Sequence, residues 1–136
     1  MGVAGGIVRA EAATQFLRFG VVGVIGFAID TATVYALRAP LGLIGAGMAA
    51  YLVAASVNWA LNRMWTFRGR GGGAAHRQWA RYMLTNTVGF ILNRGTYAAL
   101  VTVSALCAAQ PVLAVAAGAI AGMGVNFTLS RRVVFR

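Results

Sequence analysis

Apolar residues fall into four long runs along the chain, and the polar residues gather between them. The runs cover about residues 19–37, 43–61, 83–106 and 112–129. A helix needs about 20 apolar residues to cross a hydrocarbon core about 30 Å thick, and each run is close to that length. The pattern therefore predicts an all-α membrane protein with four transmembrane helices in one domain spanning residues 1–136. Short connections join the first to the second run and the third to the fourth, with Pro40 in one and Pro111 in the other. The longest break, about residues 68–78, opens with RGRGGGAA and reads as a flexible Gly-rich linker. Just beyond it, Arg77, Trp79, Arg81 and Tyr82 look like an interfacial piece with basic heads and aromatic anchors. The first run is not read as a cleaved signal, because it holds Asp30 and a second run follows at once.

Composition supports a lipid environment. The 136 residues are 60% hydrophobic and 10% charged, against about 25% charged in an ordinary soluble domain. A chain this short cannot hide so much apolar surface in a water-soluble core, so a soluble monomer is excluded. Disorder is excluded as well, since it requires low hydrophobicity. The charge is lopsided: twelve basic residues, all Arg, against Glu11 and Asp30, for a net +10. A pI near 11.7 would suit nucleic acid in a soluble chain. Here the arginines are fenced between apolar runs, so anionic lipid headgroups are the expected partners and nucleic acid is not.

The arginines also set sidedness. Arg9 and Arg18 precede the first run, Arg63, Arg68, Arg70, Arg77 and Arg81 separate the second from the third, and Arg131, Arg132 and Arg136 follow the fourth. The other side holds only Arg38, and Arg94 lies inside the third run. The positive-inside rule then makes both termini and the central linker cytoplasmic. The expectation is a multi-pass protein of the inner (cytoplasmic) membrane.

The chain is internally duplicated. Arg18-Phe19, Gly26-Phe27, Asp30, Thr33 and Leu37 recur 63 positions later as Arg81-Tyr82, Gly89-Phe90, Asn93, Thr96 and Leu100. Val57-Asn58-Trp59, Leu61, Arg63, Phe67 and Arg68 recur 68 positions later as Val125-Asn126-Phe127, Leu129, Arg131, Phe135 and Arg136. The five-residue difference falls in the second outer connection. Each repeat is a two-helix hairpin, and an even number of spans returns the chain to its starting side, so the two hairpins are parallel repeats. A stripe at four-residue spacing, Ala46, Ala50, Ala54, Asn58 and Asn62, is answered by Ala114, Gly118, Gly122, Asn126 and Ser130. Residues four apart share a helix face, and small ones let backbones approach closely. Spans two and four are expected to meet along it.

Catalytic constellations are missing from this pattern, so no enzyme, cofactor or metal is expected. His76 is alone in the linker, and Cys107 cannot form an internal disulfide. Two constellations invite a ligand instead. Asp30 and Arg94 sit about 16 Å deep in their helices at 1.5 Å per residue, where charge is costly and usually faces a partner or a wet cavity. With Asn93, the counterpart of Asp30, they are the candidate midplane of a translocation path, and Asp30 and Arg94 are expected to pair or to line one cavity. At the cytoplasmic rim stand Asn58, Asn62, Arg63, Trp65, Arg68 and Arg81 with Asn126, Arg131 and Arg132. Guanidinium forks suit phosphate oxygens, and the aromatic residues suit the headgroup region.

The sequence resembles the GtrA-like family. The resemblance rests on Phe16-Leu17-Arg18-Phe19 with Val22-Gly23 and Asp30, on Asn58-Trp59-Ala60-Leu61-Asn62-Arg63-Met64-Trp65-Thr66-Phe67, and on the closing Asn126-Phe127-Thr128-Leu129-Ser130-Arg131-Arg132-Val133-Val134-Phe135. It implies four transmembrane helices and a role in polyprenyl-phosphate-linked sugar metabolism. It further implies binding and flipping of a polyprenyl-phosphate sugar, such as one carried on undecaprenyl phosphate, for cell-envelope polysaccharide synthesis. Asn58, Asn62, Arg63, Trp65, Arg81, Asn126, Arg131 and Arg132 would bind the headgroup, and Asp30, Asn93 and Arg94 would line the midplane step. Ser130-Arg131-Arg132-Val133 departs from the stronger Asn-Arg-x-Trp pattern, so the two halves are not expected to bind equally. A homo-oligomer is expected, because four helices are few to surround a headgroup. One alternative is a non-transporting adaptor that recruits or supports a glycosyltransferase. Another is a small proton-coupled drug exporter using Asp30, which a rim of ten arginines would oppose.

Overall fold

The structure, a computed structural model, describes residues 2–136. Its elements are α1 (Gly2–Leu61), a π-turn here called π1 (Asn62–Thr66), α2 (Ala75–Val103), α3 (Ala105–Ala109), α4 (Pro111–Leu129) and a second π-turn, π2 (Ser130–Val134). They fall into two compact units that divide between Gly72 and Gly73.

In the first unit, α1 doubles back at Gly42. That residue takes φ 72° and ψ 170°, which a side chain would oppose and glycine accepts. The outer connection is thus a one-residue reversal, with Pro40 still helical just before it. The arm Gly2–Gly42 has 41 residues, and its most apolar stretch has mean hydropathy 1.7, long and apolar enough to cross a membrane. At 1.5 Å per residue it would extend about 60 Å, twice a hydrocarbon core. Its first 17 or so residues therefore lie outside the predicted span.

In the second unit, α2 and α4 are the long arms. The third apolar run was expected to continue to residue 106, but α2 stops at Val103. Ser104 leaves the helical region (φ −116°, ψ 117°), and its Oγ accepts a hydrogen bond from the Cys107 amide at 3.2 Å. A serine hydroxyl that caps a new helix ends the old one. The five residues of α3 that follow match the five-residue difference between the repeat offsets. Pro111 opens α4, where its missing N–H costs nothing. The piece read as interfacial is the continuous start of α2. Its Tyr82 is 2% exposed, buried against Phe135 rather than anchored among headgroups.

Both hairpins close in the same way. Each ends in a π-turn whose last bond runs from a phenylalanine amide to the carbonyl five residues back: Phe67 to Asn62, and Phe135 to Ser130, both 2.8 Å. The two phenylalanines are fully buried. Phe67 meets Phe19 of the opposing arm at 6.2 Å between ring centroids, and Phe135 meets Tyr82 at 6.3 Å. Tilted and edge-on aromatic pairs of this kind add about 0.5–1.5 kcal/mol beyond their buried area. Large apolar side chains elsewhere point outward, among them Phe27 at 72%, Leu84 at 71% and Ile120 at 73% exposed. Such a surface belongs in lipid.

The linker between the units carries positive φ at Gly69, Gly71 and Gly73 (78°, 78° and 96°), which explains its glycine content.

Candidate functional site

The four-residue stripe is the seam of each hairpin. Ala46, Ala50 and Ala54 are buried in the first, and Ala114 and Gly118 in the second. A Cβ on Gly118 would come within 2.6 Å of the Asn93 carbonyl oxygen, and one on Gly122 within 2.8 Å of the Gly89 carbonyl oxygen. The stripe of span four thus meets span three, its partner in the same hairpin. It was expected to join spans two and four. The correction has a simple cause: an α4 ridge of small residues allows backbone-to-backbone approach to α2.

Farther along the same seams, the Asn58 amide lies directly against Gly26, where a Cβ would fall 2.7 Å from its Cγ. Asn126 lies against Gly89 in the same way, with Nδ2 at 2.6 Å from the would-be Cβ. Among the described residues, neither amide oxygen (Oδ1) has a hydrogen-bond partner, though both are buried. The seams then reach the two basic ends through Asn62 and Ser130, each 1% exposed.

At the end of the first hairpin the walls open into a polar cavity of about 350 Å³. Glu11, Gln15 and Arg18, on one face of α1, form one part of its lining, and Trp65, Thr66 and Arg68 form the other. Thr14 completes the wall, its hydroxyl donating to the Ala10 carbonyl. Arg18 donates a long bond of 3.4 Å to the Trp65 carbonyl and stacks over the indole, 5.5 Å from the ring centroid. Glu11 accepts from the Gln15 amide at 3.1 Å and pairs with Arg70 at 3.6 Å. Thr66 is 3% exposed, and its hydroxyl finds no partner among the described residues.

Of the predicted headgroup residues, Trp65 lines this cavity. Asn58 and Asn126 occupy the hairpin seams, and Asn62 is buried at the start of π1. The Arg63 guanidinium lies 5.9 Å from the centroid of the Trp59 ring. Arg81 near the start of α2 and Arg132 in π2 are exposed, while Arg131 is half-buried. Of the midplane residues, Asp30 and Asn93 are half-buried. Arg94 is exposed and stacks over Phe90 one turn back, at 5.4 Å. Asp30 and Arg94 belong to different units, so their pairing stands as a proposal.

Arg18, Gln15, Glu11 and Thr66 were absent from the predicted headgroup set. A formal extension of the four-residue stripe by one step beyond Asn62 reaches Thr66, which stays on the seam only because of the wider π-turn. One step beyond Ser130 reaches Val134, which is also buried.

No curated protein matches the chain closely enough to compare. The family described as "GtrA/DPMS, transmembrane domain" matches residues 18–136, which include both hairpins from the Arg18 end onward. The structure agrees with a transmembrane domain in being helical among the described residues and apolar on its outside. The chain belongs to the GtrA/DPMS transmembrane-domain family, and is thereby a membrane protein linked to polyprenyl-phosphate sugar processes.

Proposed function

We propose that the protein binds a polyprenyl-phosphate-linked sugar in the inner membrane and moves it across the bilayer for cell-envelope polysaccharide synthesis. It would cross the membrane four times with both termini cytoplasmic, act without catalysing a covalent step, and work as a homo-oligomer. The observation that carries this reading is the closure of the first hairpin. The same contact that joins its two ends, Phe19 against Phe67, gathers Arg18 and Arg68 with Trp65 around a polar cavity, next to a helix surface fit for lipid. A phosphate at such a rim would meet guanidinium donors while its prenyl tail stayed in hydrocarbon. The seam amides of Asn58 and Asn126 and the midplane residues Asp30, Asn93 and Arg94 would offer polar groups farther in.

Reconstitution in liposomes with a labelled polyprenyl phosphosugar tests the reading. Transbilayer movement faster than in protein-free liposomes, and reduced by Arg63→Ala and Asp30→Asn, is expected. Equal rates with and without protein would remove transport and leave the adaptor reading, in which rim substitutions abolish recruitment of a glycosyltransferase.

A further inference from the structure

We infer that the phosphate-binding site is single: it is the cavity at the basic end of the first hairpin, and the equivalent end of the second hairpin is not a second copy of it. The inference rests on the reading above and assigns its ligand to particular residues.

The charge of the cavity suits an anion. The chain has two acids, Glu11 and Asp30. Glu11 is already engaged by Arg70 and Gln15. Asp30 lies twelve residues from Arg18 on the same helix, about 18 Å along its axis. Neither offsets both Arg18 and Arg68, so the cavity keeps a positive balance. Arg18 is also held in place by stacking on Trp65 and by one long bond to the Trp65 carbonyl, which leaves most of its five N–H donors for a ligand.

The buried hydroxyl of Thr66 gives independent support. A buried polar group without a partner costs about 1–3 kcal/mol. Thr66 lines the cavity with this oxygen closed to solvent, so a small shift of the wall would bring a phosphate oxygen to it.

The second hairpin keeps the frame and the positive charge and loses the hydroxyl and the indole. Gln15, Arg18 and Arg68 have the counterparts Gln78, Arg81 and Arg136, and Gln78 is buried as Gln15 is. Thr66 is replaced by Val134 and Trp65 by Val133, while Glu11 and Thr14 give way to Ala74 and Arg77, which leave the second end more basic but without the hydroxyl and the indole. Val134 is 2% exposed and offers no hydroxyl. The second end therefore repeats the closure and not the cavity lining.

The test uses the full chain in phosphatidylcholine nanodiscs. Binding of undecaprenyl phosphate is measured by titration, with nanodiscs containing phosphatidylglycerol and a titration with inorganic phosphate as separate arms. Thr66→Val borrows the residue that the second repeat already buries at this position, so it should fold; an unchanged melting temperature checks this. Arg18→Gln is expected to raise Kd about 10-fold or more, and Thr66→Val about 3- to 10-fold. Val134→Thr and Arg136→Gln, at the counterparts of Thr66 and Arg68, are expected to change Kd less than 2-fold. Wild-type binding with Arg18→Gln and Thr66→Val unaffected, or with Arg136→Gln as damaging as Arg18→Gln, overturns the single site and leaves the proposed function standing. Absence of wild-type binding overturns both. Inorganic phosphate or phosphatidylglycerol binding as tightly, with the same variant pattern, supports the pocket and overturns the prenyl-lipid reading.

Discussion

Asn58 rests its amide on the bare backbone of Gly26, and 68 and 63 positions further on Asn126 rests on Gly89. An asparagine and a glycine that face each other across both hairpins tie the duplication to packing. The amide occupies the volume a Cβ would need, so each pair must change together.

Gly26→Ala and Gly89→Ala should therefore each destabilise the protein by about 1–3 kcal/mol through overpacking. Adding Asn58→Ala to Gly26→Ala should recover part of that loss, since the shortened side chain vacates the contested space. Thermal melts in detergent would check this. A double variant no more stable than Gly26→Ala alone would contradict the contact.

Phe67→Ala and Phe135→Ala should cost similar amounts, about 3 kcal/mol each, because both rings are fully buried in matching closures. Trp65→Ala, at a half-open cavity wall, should cost much less in stability and more in ligand affinity. Melting temperatures alongside lipid titrations separate the two effects.

The Glu11–Arg70 pair is partly exposed, with side chains 51% and 33% accessible. Glu11→Gln should change stability by less than about 1 kcal/mol. A larger loss would mean that the pair fastens the start of α1 to the linker.

Exchange of charge between Asp30 and Arg94 tests the midplane proposal. Asp30→Arg and Arg94→Asp should each abolish transport in liposomes, and the double exchange should restore much of it. A double variant as inactive as either single would argue against their pairing.

Tags at Met1 and Arg136 should both be reached only from the cytoplasmic side. Tags found on opposite faces would break the parallel-repeat topology.

The hairpins were legible because polar residues are rare and costly in apolar helices, so the few present, Asn58, Asn126, Asp30 and Asn93, align across the repeats. The reversal at Gly42 and the early end of α2 were harder to read. One is a single dihedral, and the other turns on whether the Ser104 hydroxyl caps. The cavity was missed for a subtler reason. On a helix of 3.6 residues per turn, a four-residue stripe drifts about 40° per step, so Thr66 would not be expected to stay on the face of Ala46. The wider π-turn rotates each residue by less and takes back part of that drift. The buried hydroxyl of Thr66 follows from a backbone bond between Phe67 and Asn62 that no side-chain pattern announces.

The alternating left-handed glycines at 69, 71 and 73 bear on how the polypeptide is made. With a closing ring pair of its own at Phe19 and Phe67, the leading half can finish assembling while the trailing half is still being synthesised. The string between them only has to stay slack. Shortening it by two or three residues should slow maturation of newly made protein more than opening either ring pair does, while opening a ring pair should cost more melting temperature.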